Sequence, residues 1–184
     1  IPHRIPSGTQ GFFFNSRKPI FSDIRVRKAL SSVFDFSWSN SNLFYGAYKR
    51  SSTHYPNSPY QAQNLAEGKE LALLLPFKSQ LPVSIFDEPI PLEVHRPDTK
   101  VTRETFKKAF ELLAEAGWTI QEGKLVDKEG HLFEFEFLIR QKGLERILQP
   151  YAKNLEKLGI KATLRLIDAS QYKNRLDNFD FDAT

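Results

Sequence analysis

The sequence contains no cysteine and no methionine among its 184 residues. The absence of cysteine excludes disulfide bonds, thiol nucleophiles and thiolate metal sites, and it is compatible with an oxidising compartment. Because even the first position is Ile1 and not methionine, we expect the chain to be processed or cut from a longer one. The sequence also lacks a signal-peptide pattern and any apolar run near the roughly 20 residues of a membrane-spanning helix.

Acidic residues are scarce at the start of the chain. Residues 1–50 carry eight Lys or Arg against two Asp or Glu, whereas residues 51–184 carry 18 against 20. Such asymmetry occurs in proteins that bind nucleic acids or other acidic partners, although it more often marks a solvated face. A basic nucleic-acid-binding module that uses residues 12–50 is therefore an alternative hypothesis of function.

The first regular elements are predicted between residues 11 and 45. Residues 11–15 have the composition of a short buried strand, which ends before Pro19. Ser22 or Asp23 then caps a helix with apolar residues at helical spacing, namely Val26, Ala29, Leu30, Val33 and Phe34. The neighbouring basic residues lie outside this row of apolar residues, so most of the basic cluster is the solvated side of the helix. A second short helix is predicted over residues 39–45.

Little regular secondary structure is predicted between residues 51 and 101. Seven of the 11 prolines lie in residues 56–97, and a helical pattern appears there only around residues 67–75. A poorly structured stretch of this length is usually a functional excursion and not a simple connector.

The remainder of the chain predicts an α/β domain. A helix capped by Thr102 ends near Gly117, and a hairpin of two strands follows within residues 123–139. A helix up to Gly159, a strand over 160–166, a helix over 170–176 and a closing strand over 179–182 complete the order. This order predicts helices that cover a mixed sheet.

No residues stand out as a catalytic centre. The four histidines are scattered, and no acidic cluster shows ligand spacing, so we expect neither a metal nor another cofactor. Glu134 and Glu136 project to one side of a strand, as a glycosidase pair would, but the solvent face of an amphipathic strand is the favoured interpretation. Nucleophile-elbow and phosphate-loop motifs are absent, and we expect no enzymatic activity.

Three motifs together point to a family. The run GFFFNSRKPIFSDIRVRKALSSVFDFSWSNSNLFYG, the helix end FELLAEAGW at 110–118 and the segment YAKNLEKLGIKATLRLIDASQYKNRLDNFDFD at 151–182 occur in one order along the chain. They resemble segments of the family 5 extracellular solute-binding proteins, the receptors of ABC importers. The proline-rich region and SNLFYGAYKRSSTHYPNS are similar to the oligopeptide and microcin C subgroup of that family.

The resemblance implies that residues 1–184 form one lobe of a two-lobed receptor with a type II periplasmic-binding-protein fold. Residues 1–19 and 177–184 would then be inter-lobe segments, with Asn15, Ser16 and Arg17 at the hinge, and residues 51–101 an irregular excursion. The expected cargo is an oligopeptide or peptide-like compound, captured between this lobe and the N-terminal lobe by hinge closure and delivered to a membrane permease. We expect a monomer that is periplasmic, or membrane-anchored outside the cell where no outer membrane exists.

By similarity, four residues are expected to face the ligand. Arg140 and Gln141 follow the second strand of the hairpin, Glu145 begins the next helix, and Tyr172 lies in the short helix before the closing strand. Arg140 would meet a carboxylate and Glu145 an amine, while Tyr172 would stack on the ligand. An ordinary surface position at the end of a strand or helix is the competing interpretation for each of them.

Overall fold

A computed structural model describes residues 10–51, 55, 58–61, 65–87 and 100–184. The chain divides into two compact units, a larger one of residues 12–45 and 99–184 and a smaller one of residues 1–11 and 46–98. Residues 1–9 of the expected inter-lobe segment lie outside the described residues, as do positions 52–54, 56–57, 62–64 and 88–99 of the expected excursion.

The larger unit is built on a parallel pair of strands. β3 (Glu134–Ile139) lies beside β4 (Lys161–Leu166), with Glu134 opposite Lys161. The end of the chain joins β3, where Ala183 forms a parallel bridge with Phe137 and an antiparallel bridge with Phe14. The predicted mixed sheet is therefore confirmed.

Side-chain alternation along β3 separates an aromatic face from a charged one. Phe135 and Phe137 are buried on the first face, whereas Glu134 and Glu136 lie on the second. The core is continued by residues from the preceding strand region and the covering helices, including Phe21, Leu30, Leu113, Phe133, Leu148, Tyr151 and Leu155. Burial of this many large apolar side chains on one face is the main stabilising contribution to the unit.

Two helices at the start of the larger unit are fixed by aspartate caps. After the short helix α1 (Pro19–Ser22), Asp23 accepts the Arg25 backbone N–H and begins α2 (Ile24–Ser32), as predicted. α3 (Phe36–Leu43) begins three residues before the predicted start, because Asp35 accepts the Trp38 backbone N–H.

The predicted hairpin within residues 123–139 forms about the turn at Gly130, but its pairing is short. The Phe133 N–H donates to the Leu125 carbonyl oxygen at 2.8 Å, and the Asp127 N–H donates to the His131 carbonyl oxygen at 3.1 Å. β2 (Lys124–Val126) also pairs with β1 (Thr119–Gln121), which was not predicted, and the turn between them is Glu122–Gly123, both with positive φ. This is the backbone of a two-residue primed turn, which matches the twist of the strands. The predicted antiparallel pairing is limited to the bridge between Val126 and Leu132, and β3 beyond it pairs in parallel with β4.

The later helices agree with the sequence patterns. α6 (Arg103–Glu115) is capped by Thr102, α7 (Glu145–Glu156) contains Pro150 and follows a 3₁₀ turn at Lys142–Leu144, and α8 (Ala169–Asp177) is capped by Asp168. α7 packs towards α2, where the buried Tyr151 hydroxyl donates to the Leu30 carbonyl oxygen at 2.9 Å.

The two predicted terminal strands are shorter than expected. The segment at residues 11–15 pairs with the chain end through Phe13 and Asn15, but the Phe13 side chain is 63% exposed, so it is not a buried strand. In the closing segment Phe179 has a φ of +54°, and pairing begins at Asp182. A residue with positive φ turns the chain and cannot continue a strand.

The smaller unit contains short helices among its described residues. They are α4 (Gly68–Leu74), a 3₁₀ turn at Leu75–Phe77 and α5 (Ser84–Asp87). α4 confirms the helical pattern predicted around residues 67–75, whereas α5 lies outside that pattern and was not predicted. Within the described parts of both units, no helix is long and apolar enough to span a membrane.

Candidate functional site

The carboxyl ends of β3 and β4 define the candidate site. Arg140 directly follows β3, and Glu145 begins α7 shortly afterwards. On the neighbouring strand, Asp168 follows β4 and caps α8, accepting the backbone N–H groups of Ser170 and Gln171. In open α/β sheets, ligands bind in the crevice outside the carboxyl ends of the strands. The four expected ligand residues lie on the elements that begin at this edge.

Arg140 and Tyr172 come together at this edge. The Arg140 guanidinium carbon lies 5.7 Å from the centroid of the Tyr172 ring, within the range of a cation–π contact. Arg140 is exposed and forms no ion pair with any carboxylate of the described residues. Its donors are therefore available to a ligand.

Tyr172 is half-buried and tied to the sheet. Its hydroxyl lies 2.5 Å from the Thr184 hydroxyl, which in turn lies 3.1 Å from the Leu138 carbonyl oxygen. The sequence patterns did not single out Thr184, since a single threonine after a charged run carries no periodic signal. Its role depends on the bridge that brings the chain end beside β3.

Gln141 and Glu145 lie at the same edge without joining the Arg140–Tyr172 pair. Gln141 is exposed, and its carbonyl oxygen accepts the Leu144 backbone N–H at 3.1 Å. Glu145 is half-buried at the first position of α7, where a carboxylate is favourable to the helix dipole. No hydrogen bond or ion pair connects either side chain to another described residue.

Asn15 is the most buried residue of the expected hinge and makes the most hydrogen bonds. It is 4% exposed, and its side-chain amide donates to the carbonyl oxygens of Phe179 and Phe181 at 3.0 and 2.9 Å. Its side-chain oxygen accepts the Arg17 backbone N–H at 3.1 Å. The main chain adds a bond from the Asn15 N–H to the Asp182 carbonyl oxygen at 2.8 Å. Asn15 thus joins the two segments that cross at this point.

Two residues that follow Asn15 also contact the second segment of this junction. The Arg17 guanidinium carbon lies 3.6 Å from the centroid of the Phe179 ring, and Lys18 pairs with Asp182 at 3.3 Å. Ser16, in contrast, is exposed and makes no side-chain hydrogen bond within the described ranges. The apolar and charged partners in residues 179–182 were predicted as strand residues, and their contacts with the junction were missed.

The basic residues of α2 are engaged within the protein. Arg25 forms a paired contact with Asp23, with its terminal nitrogen 2.6 Å from the carboxylate. Arg27 donates to the carbonyl oxygens of Phe21 and Ser22 at 2.6 and 2.8 Å. Guanidinium groups held in this way secure the start of the helix, which weakens the nucleic-acid hypothesis.

The Asp23–Arg25 contact predicts an acid-dependent loss of stability. The side-chain hydrogen bond from Arg25, and then its backbone N–H, lower the pKa of Asp23 below its ordinary value of 3.8. Because the folded pKa lies below the unfolded one, the contribution is complete above the unfolded pKa and disappears as the pH falls through the folded pKa. We expect Asp23→Asn, which keeps the cap, to lose less thermal stability than the wild type on acidification.

Calorimetric melting temperatures at about pH 6 and about pH 3 check this expectation, since the range spans the titration of carboxyl groups. The other carboxylates titrate alike in both proteins and cancel in the comparison. An equal loss in wild type and Asp23→Asn would contradict it.

The pair Glu134 and Glu136 is neutralised by cations. Glu134 pairs with Lys161 at 3.0 Å, and Glu136 lies 3.6 Å from Arg165 and 3.4 Å from Arg175. The two carboxylates line an open groove of about 310 Å³ on the charged face of the sheet. Their pairing identifies them as the polar face of an amphipathic strand, as the sequence favoured.

The expectation that no acidic cluster shows ligand spacing is wrong at one exposed turn of the described residues. The ligand atoms of Asp127, Glu129 and His131 lie within 4.8 Å of one another. Burial raises the pKa of Asp127, but hydrogen bonds from the His131 backbone, the His131 ring and the Glu129 backbone outweigh it and lower that pKa. The Asp127 carboxylate is thus occupied in closing the turn before β3.

Comparison with known proteins gives relatives that share most of this chain. A protein of Brucella melitensis named as a binding protein is 38% identical over 181 residues, covering 96% of this chain and 29% of its own length. The "Probable peptide-binding protein YejA" of Agrobacterium fabrum is 37% identical over 179 residues, covering 95% of this chain and 28% of its own length. The chain therefore spans less than a third of the relatives it matches.

A solved structure shares the fold. The oligopeptide-binding protein AppA of Bacillus subtilis, solved in complex with a nonapeptide, superposes with a TM-score of 0.68 at 23% identity. The match covers 94% of this chain and 29% of AppA, which confirms the predicted fold class as a portion of the periplasmic-binding architecture.

A family model described as bacterial extracellular solute-binding proteins, family 5 Middle, matches residues 2–184. The match extends over nearly the whole chain and agrees with the three motifs and with the observed sheet. The chain belongs to the family 5 bacterial extracellular solute-binding proteins.

Proposed function

We propose that this chain is part of an ABC-importer receptor that captures oligopeptides or peptide-like compounds between two lobes. The observation that supports this best is the contact between the exposed Arg140 and the half-buried Tyr172 at the carboxyl edge of the parallel strands. A guanidinium and an aromatic ring in contact offer one group for a carboxylate or carbonyl and one for stacking. Gln141 and Glu145, on the same edge, would add polar contacts, with Glu145 facing an amine.

The two crossing segments would serve as the connection to the N-terminal lobe. Residues 1–19 and 177–184 would be the inter-lobe segments, with Asn15, Ser16 and Arg17 at the hinge of a single lobe formed by residues 1–184. The hydrogen bonds of Asn15 to both Phe179 and Phe181 support this, because a hinge built from two segments must move them together. Residues 51–101 would form an excursion of that lobe.

The receptor would act outside the cytoplasmic membrane and without catalysis. We place it in the periplasm, as a monomer that requires no cofactor and delivers its cargo to a membrane permease. The family description and the peptide-binding name of the Agrobacterium relative support this assignment.

Native mass spectrometry of the complete receptor tests the proposal. Gently purified receptor should carry adducts of peptide mass, and it should bind members of a pooled synthetic peptide library after those adducts are removed. A receptor that arrives empty and ignores the library would overturn the peptide assignment.

Substitution of Arg140 tests the role of one residue of the proposed ligand site. Arg140→Ala removes a charge-assisted hydrogen bond of about 1.5–3 kcal/mol, so affinity for peptides should fall between roughly tenfold and a hundredfold. Titration calorimetry of the complete receptor measures the change. Arg103→Ala is the matched control, since Arg103 is also an exposed arginine without an ion pair among the described residues but begins α6, which is not one of the elements that start at the carboxyl edge. Equal peptide affinities in the two variants would contradict the assignment of Arg140 to the ligand site.

A further inference from the structure

The carboxyl edge of the sheet contains a hydrogen-bond chain with a defined proton order. The Thr184 hydroxyl lies 3.1 Å from the Leu138 carbonyl oxygen and 2.5 Å from the Tyr172 hydroxyl. A hydroxyl has one proton to donate, and a carbonyl oxygen can only accept. Thr184 therefore donates to Leu138, and Tyr172 donates to Thr184.

Thr184 is itself held firmly on the sheet. Its backbone N–H donates to the Phe13 carbonyl oxygen at 3.0 Å, and its carbonyl oxygen accepts the Phe13 N–H at 2.7 Å. The adjacent Ala183 carbonyl oxygen accepts the N–H of Leu138, which is 1% exposed. The threonine hydroxyl is thus a fixed anchor on the sheet for a tyrosine that is carried by α8.

We propose that Thr184 is a positioning residue of the ligand site. Thr184 fixes the Tyr172 ring beside Arg140, so that Arg140 is the group of the pair that donates hydrogen bonds to the ligand. The ligand group that binds there is therefore a hydrogen-bond acceptor, either a carboxylate or a peptide carbonyl oxygen. This inference rests on the proposed function.

The donor assignment follows from the proton order. The Tyr172 hydroxyl proton is committed to Thr184, so the phenol has no proton left for a ligand. Arg140 has donors only, and its planar guanidinium donates to both oxygens of a carboxylate or to a single carbonyl oxygen. Since no carboxylate of the described residues pairs with Arg140, that guanidinium is open to an incoming acceptor.

Binding by the complete receptor tests the inference with three variants. The probes are a mixture of short synthetic peptides with free carboxyl ends and the same mixture with amidated ends. Thr184→Val keeps the shape of the side chain but breaks its hydrogen bonds to Tyr172 and to Leu138. Because Tyr172 is then no longer held beside Arg140, we expect affinity to fall about tenfold, the effect of losing one hydrogen bond between protein and ligand. Thr184→Ser restores the hydroxyl and should rescue binding.

Thr163→Val is the matched control. Thr163 also directs its hydroxyl towards a strand carbonyl, that of Phe135 at 3.4 Å, but it lies in β4 away from Tyr172. The Thr163→Val receptor should bind both peptide mixtures with wild-type affinity. Weaker binding of the amidated mixture identifies the acceptor as a carboxylate, and equal binding identifies it as a carbonyl. Wild-type affinity in Thr184→Val overturns the inference and leaves the proposed function standing.

Tyrosine spectra separate failure of the inference from failure of the proposed function. In receptor with ¹³C-labelled tyrosine, the resonance missing from Tyr172→Phe is that of Tyr172. It should shift in Thr184→Val and stay in place in Thr184→Ser. A wild-type receptor that binds neither mixture overturns the proposed function together with the ligand assignment. An unchanged Tyr172 resonance in Thr184→Val overturns the positioning role itself.

Discussion

Phe137→Ala should lower the free energy of unfolding by about 3–5 kcal/mol, the range for truncating a fully buried aromatic side chain. Phe137 is 0% exposed and packs against Phe12, Phe135 and Tyr151 at ring-centroid distances of 5.7, 5.0 and 5.7 Å. Its removal leaves a cavity between the sheet and α7 and breaks three aromatic contacts at once. Urea unfolding followed by near-ultraviolet circular dichroism, which reports the aromatic core, measures the loss.

Phe13→Ala is the control for this substitution. Phe13 is the same residue type on the neighbouring segment of the sheet, but its side chain is 63% exposed and faces away from the core. We expect a change within about 0.5 kcal/mol, as for most surface positions. Similar losses in the two variants would mean that the aromatic core is not where the stability of this unit resides.

The difference between these two phenylalanines also shows what the sequence could predict. Alternation along β3 identified Phe135 and Phe137 as core, because charged residues stand between them and define a second face. The run Phe12–Phe14 has no such interruption, so the pattern could not show that Phe13 points outwards. Burial at that position is decided by the long-range pairing of Phe13 with Thr184, which no local pattern contains.

Pairing partners were the other feature that local patterns missed. The hairpin predicted within residues 123–139 is limited to the bridge between Val126 and Leu132, and the pairing of β2 with the three-residue strand β1 was not predicted. A strand this short has too few residues to show alternation, and β3 gains six paired positions by joining β4. Helices were predicted better, since their caps and apolar spacing are local features. At α3 the helix starts three residues before the predicted position, because Asp35 caps it, and ends two residues before the predicted end.

The candidate site was predictable in its location and less so in its contacts. Family resemblance indicated Arg140 and Tyr172 individually, and the structure brings them within 5.7 Å. Thr184 and Phe179 were missed because each acts through a partner distant in sequence, Leu138 for the first and Arg17 for the second. Such contacts arise only after the chain end has joined the sheet.

Gly159→Ala should be the other strongly destabilising substitution, with a cost of about 2–5 kcal/mol, the sum of a backbone and a packing contribution. Gly159 ends the turn between α7 and β4 with a φ of +77°, where a side chain costs roughly 1–2 kcal/mol. A Cβ there would also lie 2.7 Å from the Leu125 backbone nitrogen and 3.0 Å from the Lys124 carbonyl carbon. The Leu125 N–H donates to the Gly159 carbonyl oxygen at 2.9 Å, so neither backbone can retreat without losing that bond. Overpacking of this kind adds about 1–3 kcal/mol.

Gly123→Ala separates the two contributions, because Gly123 has the same φ of +77° but no heavy atom within 4 Å of the point where a Cβ would lie. It should therefore show only the backbone cost of roughly 1–2 kcal/mol. Urea unfolding of both variants gives the difference directly, and that difference measures how tightly the β1–β2 hairpin is held against the turn at Gly159. Equal losses would mean that the hairpin moves away freely, and the contact between Leu125 and Gly159 would then contribute little to the order of the sheet. A larger loss at Gly159 identifies this close approach as the reason for a glycine at the end of α7.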